Sequence, residues 1–100
     1  MISVIVQHEV RDYDTWKPVF DEHGTVRKQH GATSHEIYRS LDNPNEVMIV
    51  NHFESREQGE AFVSDPSLPE AMQRGGVIGQ PRVTFVGEPE IVEYRQSKAA

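Results

Sequence analysis

The sequence contains no cysteine among its 100 residues. Disulfide bridges, thiolate nucleophiles, iron–sulfur clusters and zinc ribbons are therefore excluded as sources of stability or chemistry. Cations are also few, since ten Lys and Arg residues stand against 16 Asp and Glu and leave a net charge of −6. This balance repels phosphate backbones and anionic lipid surfaces, so we expect neither a nucleic-acid nor a membrane partner.

Long apolar runs are missing as well. No stretch approaches the length of a membrane span, and Met1 leads directly into strand-like sequence without a charged leader region. We therefore expect a cytoplasmic protein. The length fits one small domain over residues 1–100, in which residues 95–100 are expected to form a frayed end.

The remaining sequence alternates between strand and helix patterns. Strands are expected where β-branched and apolar residues recur, over residues 2–10, 32–40, 47–53 and 82–86. A first helix, within residues 13–30, is expected to have Asp14 as its N-cap, which places Pro18 in the first turn, where proline is tolerated. Ser55 and Gln58 have the spacing of a capping box and begin a second helical region, which breaks into two pieces.

The order β-α-β-β-α-β is that of a ferredoxin-like α+β fold, an antiparallel sheet with helices on one face. The first and third strands are central in this fold, which agrees with their apolar character, and the polar strand 32–40 suits an edge. The run Val47–Val50 is apolar on both faces, so both faces of the sheet need a cover. Because no element remains for the second face, we predict a homodimer with the two sheets packed face to face.

Several segments together resemble a known superfamily. They are His8, Asp12–Phe20, Tyr38–Arg39, Asn43–Asn45, Phe53–Ser55 and Gly75–Val77. With this set the chain resembles the dimeric α/β-barrel superfamily, in particular its small cyclase-like and antibiotic-biosynthesis-monooxygenase-like members. The resemblance implies a dimeric α/β barrel with a pocket between sheet and helices in each subunit, and a small-molecule substrate. It leaves the reaction open, because one superfamily hosts several chemistries.

Histidine is the residue type on which the candidate chemistry depends. His8 follows Val4 and Val6 on one face of the first strand, and it is a general acid or base if that face lines the pocket. The alternatives are a core or interface histidine held by hydrogen bonds, and a metal ligand. No histidine motif has metal-ligand spacing, so we expect no metal site, and no cofactor is expected either.

Asn51 and His52 end the third strand and point to opposite faces. Only one of them can line the pocket, where it would orient a substrate oxygen or stabilise an enolate, and both are kept as catalytic candidates beside His8. Aromatic and sulfur side chains provide candidate walls for a substrate, with ordinary core or edge packing as the alternative. These candidates are Tyr13, Trp16, Phe20, Tyr38, Phe62 and Met72. His23 and Arg27 recur at the same helical spacing and make one end of that face polar. Arg27 there is either a ligand for a carboxylate or phenolate or, as we expect, part of a solvated face.

Two functions stay open. The first is a cofactor-independent enzyme of polyketide-cyclase or monooxygenase type, which acts on an apolar oxygenated substrate with His8 as acid or base. The second is a non-catalytic ligand-binding or dimerisation module whose pocket is filled by its own side chains. A cavity of roughly 300 Å³ or more that contains His8 and another titratable group favours the enzyme. The segment 66–79 is expected either to open over this pocket or to be a helix that ends early.

Overall fold

A computed structural model describes residues 1–96; residues 97–100, and with them most of the expected frayed end, lie outside the described residues. The strands are β1 (Ile2–Val10), β2 (Ser34–Arg39), β3 (Glu46–Phe53) and β4 (Val77–Val86). The helices are α1 (Tyr13–Glu22), α2 (Gly24–Gln29), α3 (Arg56–Val63) and α4 (Ser67–Arg74). Over this part of the chain, no helix has the length and apolar character needed to cross a membrane.

The strands form one antiparallel sheet in the order β2-β3-β1-β4. The predicted ferredoxin-like α+β fold is confirmed, as are the central positions of the apolar strands β1 and β3. The polar strand β2 lies at an edge, as its composition predicts, and five of its six residues are exposed. An edge strand has one row of unpaired backbone groups in contact with water, and polar side chains are compatible with that position.

The register between β1 and β3 decides which side chains share a face. His8 is paired with Val47, Val6 with Ile49, and Val4 with Asn51. Directly paired residues project to the same side of a sheet, and neighbours along a strand project to opposite sides. His8 and Asn51 therefore lie on one face, which we call the inner face, whereas His52, paired with Ser3, lies on the outer face.

The helices pack against the inner face, where the hydrophobic core forms. Trp16 of α1 contacts the ring of His8, and Phe62 of α3 packs against Phe53. Burial of these side chains and of the inner-face valines and isoleucine removes apolar surface from water and is the main source of stability. Over residues 1–96 the outer face has no helix packed on it, and its side chains, such as Val50 and Tyr38, are partly or largely exposed.

The first helix differs from the sequence prediction. α1 begins at Tyr13, after Asp12, which has an extended backbone. The carbonyl of Asp12 accepts a hydrogen bond from the amide of Trp16 at 3.0 Å. The prediction of Asp14 as N-cap was therefore wrong, and Pro18 lies inside the helix, where it lacks the hydrogen bond to the carbonyl of Asp14. The helical segment is also divided in two at His23, which separates α1 from α2.

The capping box at the start of α3 is confirmed. The Gln58 amide donates to the hydroxyl of Ser55 at 3.2 Å, and the Ser55 amide donates to the side-chain oxygen of Gln58 at 3.2 Å. Two backbone donors of the first turn are satisfied in this way. The second helical region is divided as predicted, because α3 ends at Val63 and α4 begins at Ser67.

A register shift interrupts the pairing of β1 with β4 beside His8. Gln7 is paired with Arg82, but Glu9 is paired with Ile78, so residues 79–81 of β4 form a bulge. Pro81 has no amide hydrogen to donate to the ladder, and Gly79 adopts a positive φ of 73°. His8 therefore has a regular partner on β3 and none on β4.

Candidate active site

A cavity lies between the inner face of the sheet and the helices, and we call it the inner cavity. Its walls are mainly apolar, and its volume is about 40 Å³. The apolar lining includes Trp16, Phe20, Ile49, Phe62, Leu68 and Met72. This volume holds about three water molecules and is far below the roughly 300 Å³ of a typical small-molecule site, so the cavity is too small for such a ligand in this conformation.

Four polar side chains also line the inner cavity: His8, His23, Arg27 and Asn51. Two of them have a buried atom that lacks a hydrogen-bond partner, namely Nδ1 of His8 and Oδ1 of Asn51. Within residues 1–96 these are the only buried side-chain nitrogen or oxygen atoms without a partner. Since an unsatisfied buried polar atom destabilises the fold by about 1–3 kcal/mol, both atoms are available to bond to a molecule in the cavity, whether water or a ligand.

His8 is held as a neutral imidazole. Burial lowers its pKa below the ordinary value of 6.5, against a smaller opposing effect of a backbone hydrogen bond. The edge of its ring meets Trp16, with 5.6 Å between the ring centres. A neutral imidazole with an unpartnered nitrogen can accept a proton at neutral pH, as a general base must.

Asn51 is buried with an acceptor atom that has no partner, Oδ1. The side chain is 2% exposed, and its Nδ2 donates to the carbonyl of Val4 at 3.3 Å. Because a carbonyl only accepts, this bond fixes the orientation of the amide and leaves Oδ1 without a partner. Asn51 can therefore accept a hydrogen bond from a ligand hydroxyl through Oδ1, and its amide group carries a second N–H beyond the one bonded to Val4.

Arg27 and His23 line the cavity although they were not among the predicted site residues. Arg27 was expected in solvent but is buried, 6% exposed, with its guanidinium 3.7 Å from the centre of the Phe20 ring. The available signal was its helical spacing from Trp16 and Phe20, which places all three on one side of the segment. Burial, followed by the charge of Arg27, lowers the pKa of His23.

The structure separates the predicted site residues into two groups. His8, Asn51, Trp16, Phe20, Phe62 and Met72 line the inner cavity. The other candidates, Tyr13, Tyr38 and His52, lie elsewhere. Tyr13 packs under the guanidinium of Arg39 at 3.6 Å, and Tyr38 is on the outer face and 52% exposed. His52 is on the outer face as well, so of the pair that ends β3 it is Asn51 that lies with His8.

Helix α4 forms one wall of the inner cavity through Leu68 and Met72. Two hydrogen bonds connect its N-terminal end to the first helical region. His23 Nε2 is 2.8 Å from the Ser67 hydroxyl, and His30 Nε2 donates to the Asp65 carboxylate at 2.8 Å. These two contacts join the start of α4 to the ends of α1 and α2.

The part of the chain that the structure describes contains no group of three or more His, Cys, Asp or Glu side chains placed to bind a metal ion. The nearest clusters are pairs, such as His30 with Asp65. A stable protein site for a transition metal usually provides at least three ligands. The polar groups that line the inner cavity are imidazole, amide and guanidinium groups.

Known proteins share this sequence pattern and this fold. The model of the antibiotic biosynthesis monooxygenase family matches residues 1–74. SnoaB, a cofactor-independent oxygenase from Streptomyces nogalater, superposes with a TM-score of 0.73 at 9% identity over 91% of this chain and 95% of its own. Rv0793 from Mycobacterium tuberculosis superposes with a TM-score of 0.60 at 15% identity over 92% of this chain and 98% of its own.

A further crystal structure, of an antibiotic biosynthesis monooxygenase, has a TM-score of 0.69 at 12% identity over 90% of this chain and 100% of its own. No curated protein matches the chain in sequence. Identities this low establish a common fold and leave the reaction undetermined. The family match covers about three quarters of the sequence, including β1, α1 and β3, which contribute most of the inner cavity. The chain belongs to the antibiotic biosynthesis monooxygenase family.

Proposed function

We propose that the protein is a cofactor-independent oxygenase that acts on a hydroxylated aromatic substrate of polyketide type. The observation that carries the proposal is the pair of unpartnered polar atoms in one apolar cavity, His8 Nδ1 and Asn51 Oδ1. The likeness in fold to SnoaB, described as a cofactor-independent oxygenase, adds support. Cyclisation also begins with removal of a proton, but the family match favours oxygenation.

His8 is the proposed base. For a substrate of anthrone type, it removes a proton from the ring methylene and leaves a carbanion whose charge extends to the conjugated oxygen. The carbanion transfers its electrons to O₂, and protonation by the imidazolium gives a hydroperoxide, which loses water to form the quinone carbonyl. One oxygen atom enters the product and the other leaves as water, so the methylene supplies all four electrons and no external reductant is needed.

Asn51 orients this substrate by accepting a hydrogen bond from one of its hydroxyl groups. The carboxamide is fixed by its bond to Val4, so the acceptor is held in place before the substrate enters. A substrate of three fused rings exceeds the 40 Å³ of the inner cavity. We therefore propose that α4 moves outward on binding, with breakage of the His23–Ser67 and His30–Asp65 hydrogen bonds.

Oxygen uptake with 1,8-dihydroxyanthrone tests the proposal. We expect the protein to consume one O₂ for each quinone formed, and ¹⁸O₂ to place one labelled atom in the product. The control is the same substrate in buffer, which measures spontaneous oxidation. Uptake no faster than in buffer, or formation of a cyclised product without uptake, would contradict the oxygenase.

A non-catalytic module is the second candidate, and the small volume of the inner cavity favours it. Under this proposal Trp16, Phe20, Phe62 and Met72 fill the space as an ordinary core. The two candidates differ in how α4 behaves. A module retains hydrogen–deuterium protection of α4 when an aromatic compound is added, whereas an enzyme loses it as the cavity opens.

We also propose that the working unit is a homodimer assembled through the outer face. Ile5, Met48 and Val50 form an apolar strip there that stays partly exposed, although the face belongs to the two central strands. Burial of such a strip against a second copy removes it from water. Sedimentation equilibrium at micromolar concentration should give twice the chain mass of 11.4 kDa, and a single-chain mass would contradict the dimer.

A further inference from the structure

Arg27 is a buried cation with no carboxylate in direct contact, and Asp21 acts on its charge only from a longer distance. It lies on α2, is 6% exposed, and forms part of the wall of the inner cavity. Within residues 1–96 no carboxylate lies within 4 Å of its guanidinium. Its described contacts are one hydrogen bond, from the terminal nitrogen to the Phe20 carbonyl at 2.9 Å, and the face of the Phe20 ring.

Arg39 shows what the same two contacts look like at an ordinary surface position. Its guanidinium stacks on Tyr13 at 3.6 Å, and Nε donates to the carbonyl of Pro44 at 2.9 Å. Arg39 is exposed, so water solvates the rest of its charge. Arg27 has the same contacts with little access to water, and an unpaired buried charge is among the most costly features that a fold can contain.

We infer that Arg27 is an oxyanion-binding residue, and that the natural ligand of the inner cavity is an aromatic compound carrying a carboxylate or a phenolate. This inference rests on the proposed function in one respect, namely that the substrate enters this cavity. The planar guanidinium offers several donors to an oxygen anion. Burial lowers the pKa of Arg27 to about 10, so the group stays charged at neutral pH.

The other polar residues of the inner cavity are less suited than Arg27 to bind an oxyanion. Asn51 presents an acceptor, Oδ1, which repels an anion. His23 already shares Nε2 with the hydroxyl of Ser67. His8 is neutral, because burial disfavours its charged form. Among the described lining residues, Arg27 is thus the one permanent cation.

The arrangement of the wall also predicts how the ligand lies. His8 contacts Trp16 at 5.6 Å, Trp16 contacts Phe20 at 4.9 Å, and Phe20 contacts Arg27 at 3.7 Å, measured to ring centres. Two aromatic rings therefore stand between the proposed base and the cation. A ligand whose oxyanion meets Arg27 would rest its rings on Trp16 and Phe20 and place a distant carbon near His8.

Binding of matched small probes tests the inference without turnover or oxygen. Trp16 is the only tryptophan, so its fluorescence reports on the cavity directly. We expect benzoate to bind about tenfold to a hundredfold more tightly than benzamide, its neutral isostere. Arg27→Met should abolish this preference, whereas Arg39→Met, which removes an equally stacked arginine outside the inner cavity, should leave it intact.

A second probe, 4-nitrophenol, distinguishes a phenolate from a carboxylate. Its ionised form absorbs visible light, and a cation beside the bound oxygen should lower its apparent pKa by at least about 1. In Arg27→Met the apolar cavity should raise that pKa instead. A benzoate preference without this shift identifies a carboxylate ligand, and the shift without the preference identifies a phenolate.

The comparison of benzoate with benzamide and the nitrophenol pKa in the wild-type protein test the inference even if Arg27→Met does not fold. Arg27→Lys keeps the charge and should retain part of the preference for benzoate. Equal affinity for benzoate and benzamide together with an unshifted or raised nitrophenol pKa would overturn the inference, as would the absence of a fluorescence response to every probe. If the protein prefers benzoate but consumes no oxygen, the proposed anion site is supported and the proposed oxygenase function is wrong.

Discussion

Two histidines on neighbouring central strands face opposite sides of the sheet, and their surroundings differ completely. On the outer face, both ring nitrogens of His52 are occupied. Nδ1 lies 2.8 Å from the Ser3 hydroxyl, and Nε2 donates to the Glu36 carboxylate at 2.8 Å. On the inner face, Nδ1 of His8 is buried without a partner.

Under the proposed function, this difference separates a structural histidine, His52, from a reactive one, His8. A ring with both nitrogens bonded is held in one orientation and has no free lone pair, so it joins β1, β2 and β3 but offers little to a ligand. A ring with an unpartnered nitrogen in an apolar cavity is destabilising until a ligand binds. Both residues are strand histidines in the sequence, and only the register distinguishes them.

The largest expected effect is on catalysis. His8→Ala should lower oxygen uptake with 1,8-dihydroxyanthrone by about 10²-fold to 10⁴-fold, the usual contribution of a general base, with little change in melting temperature. His52→Ala should lower the melting temperature and leave oxygen uptake nearly unchanged, because it leaves Ser3 and Glu36 without their partner but does not alter the cavity. A loss of turnover that only follows unfolding in His8→Ala would show a structural histidine.

The next effect concerns the apolar part of the outer face. Val50 lies between Ile5 and Glu36 at the centre of this face. Val50→Asp would place an unpaired carboxylate inside the proposed dimer interface, which should raise the dissociation constant by about a thousandfold. Sedimentation equilibrium measures this change, with Ala61→Asp on the exposed side of α3 as the control. An unchanged mass for Val50→Asp would place the interface elsewhere.

A smaller effect tests how tightly the inner face is packed. A Cβ added to Gly59 of α3 would lie 2.8 Å from the Val4 side chain, so Gly59→Ala should lower the free energy of unfolding by about 1–3 kcal/mol. Gly87→Ala is the matched control, because a Cβ there meets nothing within 4 Å. Urea unfolding of both variants compares them. Equal midpoints would mean that α3 shifts to admit the methyl group.

The smallest effect is a dependence of stability on pH. Burial lowers the pKa of His8, His23 and His35 below 6.5 in the folded state. Below pH 6.5 the unfolded chain therefore binds more protons than the folded chain, so the free energy of unfolding should decrease as the pH is lowered through this range. Well above pH 6.5 these groups should cause no change in the free energy of unfolding. Urea midpoints at pH 7.5 and 5.0 measure the slope, which should be smaller in His8→Gln. A variant with the wild-type slope would exclude His8 as a contributor.

Much of the fold follows from the sequence. The strand order could be predicted because apolar β1 and β3 differ so clearly from polar β2, and the capping box at Ser55 depends on residues three positions apart. The start of α1 was missed because Asp12 and Asp14 are equally good N-caps locally. Only the packing of Trp16 against the sheet, a long-range contact, decides between them.

The site was less accessible to sequence reasoning for a physical reason. Whether Asn51 or His52 lies on the same face as His8 depends on the register between β1 and β3. The run Val47–Val50 is apolar on both faces, so its pattern does not show which of its residues face the helices. Arg27 looks solvated because a long cationic side chain on a helix normally is. Its spacing from Trp16 and Phe20 places it on the same side of the segment, but spacing alone does not distinguish a wall of the cavity from a solvated end of that side.

The bulge opposite His8 gives the sheet one compliant point. β1 is bonded on both sides along most of its length, but at His8 the ladder to β4 is interrupted by residues 79–81. The same β4 follows α4 after only two glycines, and the Gly76 carbonyl accepts the amide of Arg11 just beyond the end of β1. Under the proposed function, a displacement of α4 would therefore shift the start of β4 and, through the Gly76–Arg11 hydrogen bond, the end of β1 that carries His8. Entry of a substrate would then also change the position of the His8 imidazole.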